Sequence, residues 1–168
     1  MVFSRPKALC FGQLAILDSG ELFRMDSTQG FRFTCQPGCS RCCDVEGYVY
    51  LTEDDMHRAA AHLGISAAEF EKRFVYRTKH LIRLRKPKGP GNRQCHFRDG
   101  SGCSIHVVKP VQCRLYPFWP EMVENVRLWR KTARSCPGIG TGPLIQIGTA
   151  IETASEMKRA YPRFYSGA

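Results

Sequence analysis

The sequence predicts a small α+β domain in which short strands and two to three helices pack around a loop-built cysteine metal core. Three observations support this. Nine cysteines occur, most of them in tight groups; two amphipathic helices with strong caps lie between residues 52 and 74; and short Val-, Tyr-, Ile- and Phe-rich runs are separated by Gly, Pro and Asp turns. A chain of 168 residues suits one domain, 1–168, large enough to bury a core without crosslinks. Its 43% hydrophobic and 24% charged residues are ordinary globular proportions.

Taken in order, residues 8–26 read as two strands joined at Asp18-Ser19-Gly20, an N-terminal hairpin. Residues 35–43 are too rich in Cys, Pro, Gly and Ser for regular structure. Val45 to Leu51 reads as a strand. Thr52 with Asp55 three residues on predicts a helix start, and Met56, Ala59, Ala60 and Leu63 give that helix one apolar face until Gly64 ends it. Ser66 and Glu69 predict a second capping box, with Ala67, Phe70 and Phe74 on the buried side. A basic, extended stretch (Tyr76 to Lys86) and a Pro/Gly loop follow. Short segments then lie at Cys95–Phe97 and Cys103–His106, turned at Asp99-Gly100. Val123 to Trp129 reads as a strand, and residues 143–161 as a C-terminal helix opening on Pro143, with Ile145, Ala150 and Met157 as packing positions.

No apolar run approaches the roughly 18 residues a membrane helix needs, so no membrane partner is expected. Arg5 and Lys7 precede a short apolar stretch, but Cys10, Gly12 and Gln13 interrupt it and no small-residue cleavage site follows. The expected location is cytoplasmic, where thiols stay reduced and a disulfide framework is disfavoured.

An odd, clustered cysteine count then points to metal. Cys35-x3-Cys39-x2-Cys42-Cys43 contains a C-x2-C turn, which aims two thiolates at one ion. Side chains of neighbours tend to diverge, so Cys42 and Cys43 are expected to face different sites or different metals of one cluster. Cys95, Cys103, Cys113 and Cys136 bring the thiols to eight, enough for two four-sulfur sites of zinc or an iron–sulfur cluster. His96 and His106 each lie near a cysteine and could replace a sulfur. Cys10 reads as a small buried hydrophobe, and His57, His62 and His80 as surface or core residues.

Six motifs in fixed order resemble the bacterial YkgJ-type cysteine-cluster family. They are Cys35–Cys43, Gly47-Tyr48-Val49-Tyr50-Leu51-Thr52, Cys95-His96-Phe97, Cys103-Ser104-Ile105-His106, Lys109-Pro110-Val111-Gln112-Cys113-Arg114-Leu115-Tyr116-Pro117-Phe118 and Cys136-Pro137-Gly138. The resemblance covers roughly residues 31–142 and implies a zinc- or iron-chelating domain. The same segment is similar to the cysteine-cluster part of flagellin lysine N-methylases, which implies an iron–sulfur cluster and methyl transfer. Two departures stand out: the first cysteine pair is spaced by three residues where the family often has two, and Ser40 stands where glycine is common.

The net charge of +10 is local. Ten of the 25 basic residues fall between Lys72 and Arg98, a span without Asp or Glu. That element could bind an acidic protein or nucleic acid, with Phe74, Tyr76, His80 and Phe97 interleaved among its cations, or form a solvated face. Arg41 and Arg114, each beside a cysteine, suit the task of offsetting thiolate charge. Gly138-x-Gly140-x-Gly142 follows no clear strand and lacks a βαβ setting, so it reads as a structural turn near the metal rather than a nucleotide loop. Two function classes follow: an iron–sulfur protein with redox or group-transfer activity, or a structural-zinc interaction module.

Overall fold

The computed structural model describes residues 30–87, 95–100 and 102–165. The expected hairpin at 8–26, Cys10 and most of the Pro/Gly loop lie outside them. The fold is α+β, with helices outnumbering three two-stranded antiparallel sheets among the described residues.

Strand β1 (Gly30–Phe33) pairs with β6 (Ile139–Gln146), joining the start of the described chain to a strand more than a hundred residues on. The ladder runs Gly30 to Gln146, Phe31 to Ile145 and Arg32 to Leu144, then jumps so that Phe33 faces Ile139. Residues 140–143 are the excess, and Pro143 lies in that bulge, where no ladder N–H is required. The expectation of a helix from 143 is therefore corrected. A strand occupies 139–146, and helix α6 begins at Ile147 and runs to Ala160, with Ala150 and Met157 buried as expected.

Helix α1 (Glu53–His62) has the full capping box between Thr52 and Asp55. Its Met56, Ala59 and Ala60 are buried, and Gly64, at φ +67°, ends it in the left-handed conformation glycine tolerates. Helix α2 (Ala67–Phe74) has only half of its predicted box. Ser66 accepts from the Glu69 N–H, but the Glu69 carboxylate pairs with Arg73 one turn on. The basic stretch then forms a hairpin, β2 (Val75–Arg77) with β3 (Ile82–Leu84). A second, shorter hairpin joins β4 (Arg98–Asp99) to β5 (Gly102–Cys103), with the turn where the sequence put it.

Two other strand expectations are corrected. Val45 to Leu51 has no strand of its own, only a bridge from Tyr50 to Arg83 and two backbone bonds alongside β3. Gly47 turns at φ +136°, and the side-chain amide of Gln112 takes the groups a further strand would use: Oε1 accepts from Tyr50 N at 2.6 Å and Nε2 donates to Tyr48 O at 3.3 Å. Residues 123–129 are helical at the end of α4 (Pro120–Val123) and the start of α5 (Val126–Ala133). Asn125 caps α5 by accepting from Leu128 N, and Val126, Trp129 and Ala133 recur at helical spacing.

The apolar residues segregate. One core gathers Met56, Ala59, Phe70, Val75, Leu84, Phe97 and Ile105; a second gathers Phe31, Phe118, Met122, Trp129, Ile139, Ala150 and Ala154. Asp55, with 0% exposure, ties distant parts together. Its carboxylate accepts from Thr52 N (2.9 Å), Val111 N (3.0 Å) and Arg58 Nη2 (2.6 Å), and lies 3.4 Å from the Tyr161 hydroxyl, which donates to Tyr50 O at 3.0 Å. These contacts fix α1, the start of the short helix α3 (Val111–Arg114) and the end of α6. Asp55→Ala leaves the Thr52 and Val111 N–H groups without their acceptor and Arg58 without this partner, and is expected to cost about 3 kcal/mol, read as a lower urea midpoint at unchanged m.

The glycines of the 138–142 run serve packing. A Cβ on Gly138 would collide with the Thr34 carbonyl and the Phe33 ring, whereas one on Gly148, inside α6, meets nothing. Gly138→Ala should destabilise by about 1–3 kcal/mol through overpacking. Gly148→Ala should stabilise by about 0.5–1 kcal/mol through lower unfolded-chain entropy. Urea unfolding of the pair checks both signs.

Candidate metal centre

The eight described cysteines are free thiols from five stretches of chain, and the fold brings them to the seam between its two larger cores. Cys95 belongs to the first core with Cys43 and Cys103 packed on it; Cys136 packs on the second. Cys35 follows β1 directly, and Thr34 N–H donates to Gly138 O at 3.1 Å, so the chains carrying Cys35 and Cys136 cross side by side. Cys39, Cys42 and Cys43 lie on the turn between them, the last two in a 3₁₀ turn, Arg41–Asp44. Cys113 sits on α3, and Cys103 on β5. The ion pair of Asp44 with Arg98 (2.8 Å) clamps the turn holding Cys43 to the hairpin that leads to Cys103.

Two groupings emerge. In the first, Cys43 and Cys103 pack against the same core as Cys95, and Cys42, Cys43 and Cys95 line one cavity. The adjacent Cys42 and Cys43 differ in placement: both line the larger cavity described below, and Cys42 alone lines the smaller one as well. In the second, Cys35, Cys39, Cys113 and Cys136 line a cavity of about 90 Å³ together with Cys42, Lys109, Arg114 and Tyr116. A larger cavity of about 320 Å³ reaches the same sulfurs from another side, lined by Cys42, Cys43, Cys95 and Cys113 and by Tyr48, Tyr116 and Trp119. Cys42, Cys113 and Tyr116 line both.

Electrostatics separate the thiols. Cys43, as donor to three sulfurs, is held strongly protonated. Its S–H lowers Cys42 to about 6 and Cys103 to about 7 against the opposing effect of burial, with Lys109 assisting both; it lowers Cys95 as well. Burial pushes the Cys113 thiol well up, and the charges of Cys95, Cys42 and Cys103 add to it. Burial also raises Cys136. One S–H can serve only one of three sulfurs at a time. Three thiolate-leaning sulfurs around a single proton form a donor set that a bound cation satisfies better. Among the described residues, no three or more His, Cys, Asp or Glu side chains already converge on one ion position. Sulfur is a soft donor, and a set of thiols of this kind fits zinc or iron.

The family model described as “Putative zinc- or iron-chelating domain”, CxxCxxCC, matches residues 34–137. The chain belongs to the CxxCxxCC family. No solved structure matches it. The match to this zinc- or iron-chelating domain spans the cysteine stretches 35–43, 95, 103, 113 and 136.

Several expected contributors fall elsewhere. His96 packs edge-on against Phe74 at 5.8 Å, with burial lowering its pKa, and His106 faces Lys109 Nζ at 3.4 Å. Neither ring lines the sulfur cavities. Arg114 lines the smaller cavity with Arg41, but its guanidinium bonds Glu156 on α6 at 2.6 Å. The cation whose charge acts on Cys42 and Cys103 is Lys109. With Gln112 and Tyr116, it lies in the 109–118 motif, from which the sequence reading gave a role near the metal only to Cys113 and Arg114.

The basic stretch also turns partly inward. Arg77 bonds Glu53 and Glu71, Arg73 bonds Glu69, and Arg83 lies between the Tyr48 and Tyr76 rings at 3.9 and 4.3 Å.

Gln112, directly before Cys113, holds the 48–50 segment that walls the larger cavity. Gln112→Leu keeps the bulk and removes both bonds, leaving the Tyr50 N–H without its acceptor. The expected cost is about 1–3 kcal/mol. Hydrogen exchange should report faster exchange at Tyr50 than at helix α1 amides.

Proposed function

We propose that the eight cysteines hold a metal centre with iron and sulfide in at least one of two adjoining sites, and that the protein is a redox protein. The carrying observation is the shared position of Cys42: it touches Cys43 in the first thiol grouping and lines the cavity of the second. Cys42, Cys43, Cys95 and Cys103 would form one ligand set, and Cys35, Cys39, Cys113 and Cys136 the other. Adjoining sets of soft donors favour a multinuclear centre over two isolated ions. An iron–sulfur centre supplies reversible electron transfer when bound. The chain's own residues supply the setting: Lys109 offsets thiolate charge, the Asp44–Arg98 pair holds two ligand loops in register, and Tyr116 and Trp119 wall the sulfurs.

Methyl transfer, implied by resemblance to flagellin lysine N-methylases, is a second reading favoured by one observation. The 320 Å³ cavity beside Cys42, Cys43, Cys95 and Cys113 has room for an organic co-substrate. A structural zinc module, binding an acidic partner or nucleic acid through Lys72 to Arg98, is the reading to which a zinc-only result would lead.

Anaerobic purification tests the proposal. Expected are a brown protein, iron with acid-labile sulfide in equal amounts, and bleaching on reduction. Cys→Ser at any of the eight positions should lower metal content and unfold the chain in part. Structural zinc is worth about 10–16 kcal/mol in small peptides, comparable with the whole stability of a domain. Cys10→Ser should change neither metal content nor circular dichroism. Colourless protein that holds only zinc, even after iron–sulfur reconstitution, would sink the redox reading.

A further inference from the structure

A cavity of about 300 Å³ without any cysteine in its lining opens between the turn joining β2 to β3 and the junction of α6 with the short helix α7 (Pro162–Tyr165). One wall is apolar and aromatic: Leu51, Ile82 and the Tyr50 ring, against which Phe164 packs at 4.5 Å. The rim is basic. Arg77 is neutralised by Glu53 and Glu71, but Lys79 makes no ion pair among the described residues.

Arg163 is the unusual member. Its Nη1 lies 2.7 Å from His80 Nδ1. A guanidinium has donors only, so Nδ1 must accept and the His80 proton resides on Nε2. A planar guanidinium fork matches two oxygens of a carboxylate or phosphate, and a single imidazole nitrogen uses it poorly. In the turn itself, His80 N and Leu81 N both donate to Thr78 Oγ1, and Thr78 N donates to Leu81 O. The Tyr161 hydroxyl is engaged by Tyr50 O. Selection must therefore come from Lys79 and Arg163 acting on charge and from the Tyr50–Phe164 pair acting on shape.

We infer that this cavity binds a small organic anion, a phosphate or carboxylate carried on a flat aromatic ring. The volume admits one ring and one anionic group, at the lower end of ligand-pocket sizes. Its walls come from residues 78–82 and 160–164, so the ligand would also tie the end of the described chain to the β2–β3 turn. The site shares Tyr50 with the larger sulfur cavity but has no cysteine in its lining, and the inference does not depend on which metal the cysteines hold.

Titration of the full-length protein as purified with phenyl phosphate and with benzoate tests this, with inorganic phosphate and benzyl alcohol as half-ligands. At least one aryl anion should saturate, and each half-ligand should bind at least ~10-fold more weakly, as expected when a charge-assisted contact or the ring contact is missing. Arg163→Gln and Lys79→Gln should each weaken the aryl anion ~10-fold. Both side chains are exposed, so circular dichroism and metal content should stay unchanged. Imidazole ¹⁵N shifts of His80 should move on saturation as Arg163 turns from Nδ1 to the anion. The inference is overturned if neither aryl anion saturates below ~10 mM, if inorganic phosphate binds as well as phenyl phosphate, or if both Gln variants bind like the wild type.

Discussion

The thiol cluster at the seam is the constraint on which the rest of the structure depends. Cys43 has one proton and three sulfur neighbours, so the arrangement is short of positive charge at its centre. A chain could avoid this by spreading its cysteines through an apolar core. This one instead sets cysteines against two of its three small cores. Each of those two supplies cysteines to the seam, so neither is finished without it. A cation there would satisfy sulfurs from both sides at once, which makes metal binding and folding two aspects of one equilibrium.

Around that seam the chain spends its buried polar groups on fixing distances between ligand loops. Asp55 joins α1 to the residue two before Cys113, and Gln112 joins the residue before Cys113 to the stretch after Cys43. The Thr34–Gly138 hydrogen bond sets the crossing that brings Cys35 to Cys136. Each is a side-chain or backbone contact between parts of the chain tens of residues apart. Each lies one or two positions from a cysteine. Precision in the ligand set therefore comes from neighbours of the ligands as much as from the ligands themselves.

Charge follows the same economy. Much of the cationic stretch is taken up by Glu53, Glu69, Glu71, Asp44 and two tyrosine rings, so a run that looks uniformly basic in sequence is a partly compensated surface in the fold. Lys109, outside that run, is the cation that acts on the sulfurs. Local charge density in a sequence says little about which charge faces a site.

The sequence by itself determined the α+β class, both helices between 52 and 74, the turn at Asp99-Gly100 and, in kind only, the donors of the chemistry: soft sulfur, clustered, suited to zinc or iron. Those features are local, written in caps, helical spacing and turn residues that act within a few positions. It misread 45–51, 123–129 and 143–146, where the decisive partner is remote or the pattern short. Gln112 replaces a strand partner for Tyr50, Val-x-Leu-Trp alternates over too few residues to reveal the helix capped by Asn125, and Pro143 is absorbed by a bulge opposite β1. Only the tertiary structure decided which cysteines meet, because their grouping rests on contacts across as many as a hundred positions. For the same reason only it could set Lys109, Gln112 and Tyr116 around the sulfurs beside Arg41 and leave His96 and His106 out: proximity in sequence sets no direction for a side chain, and packing does.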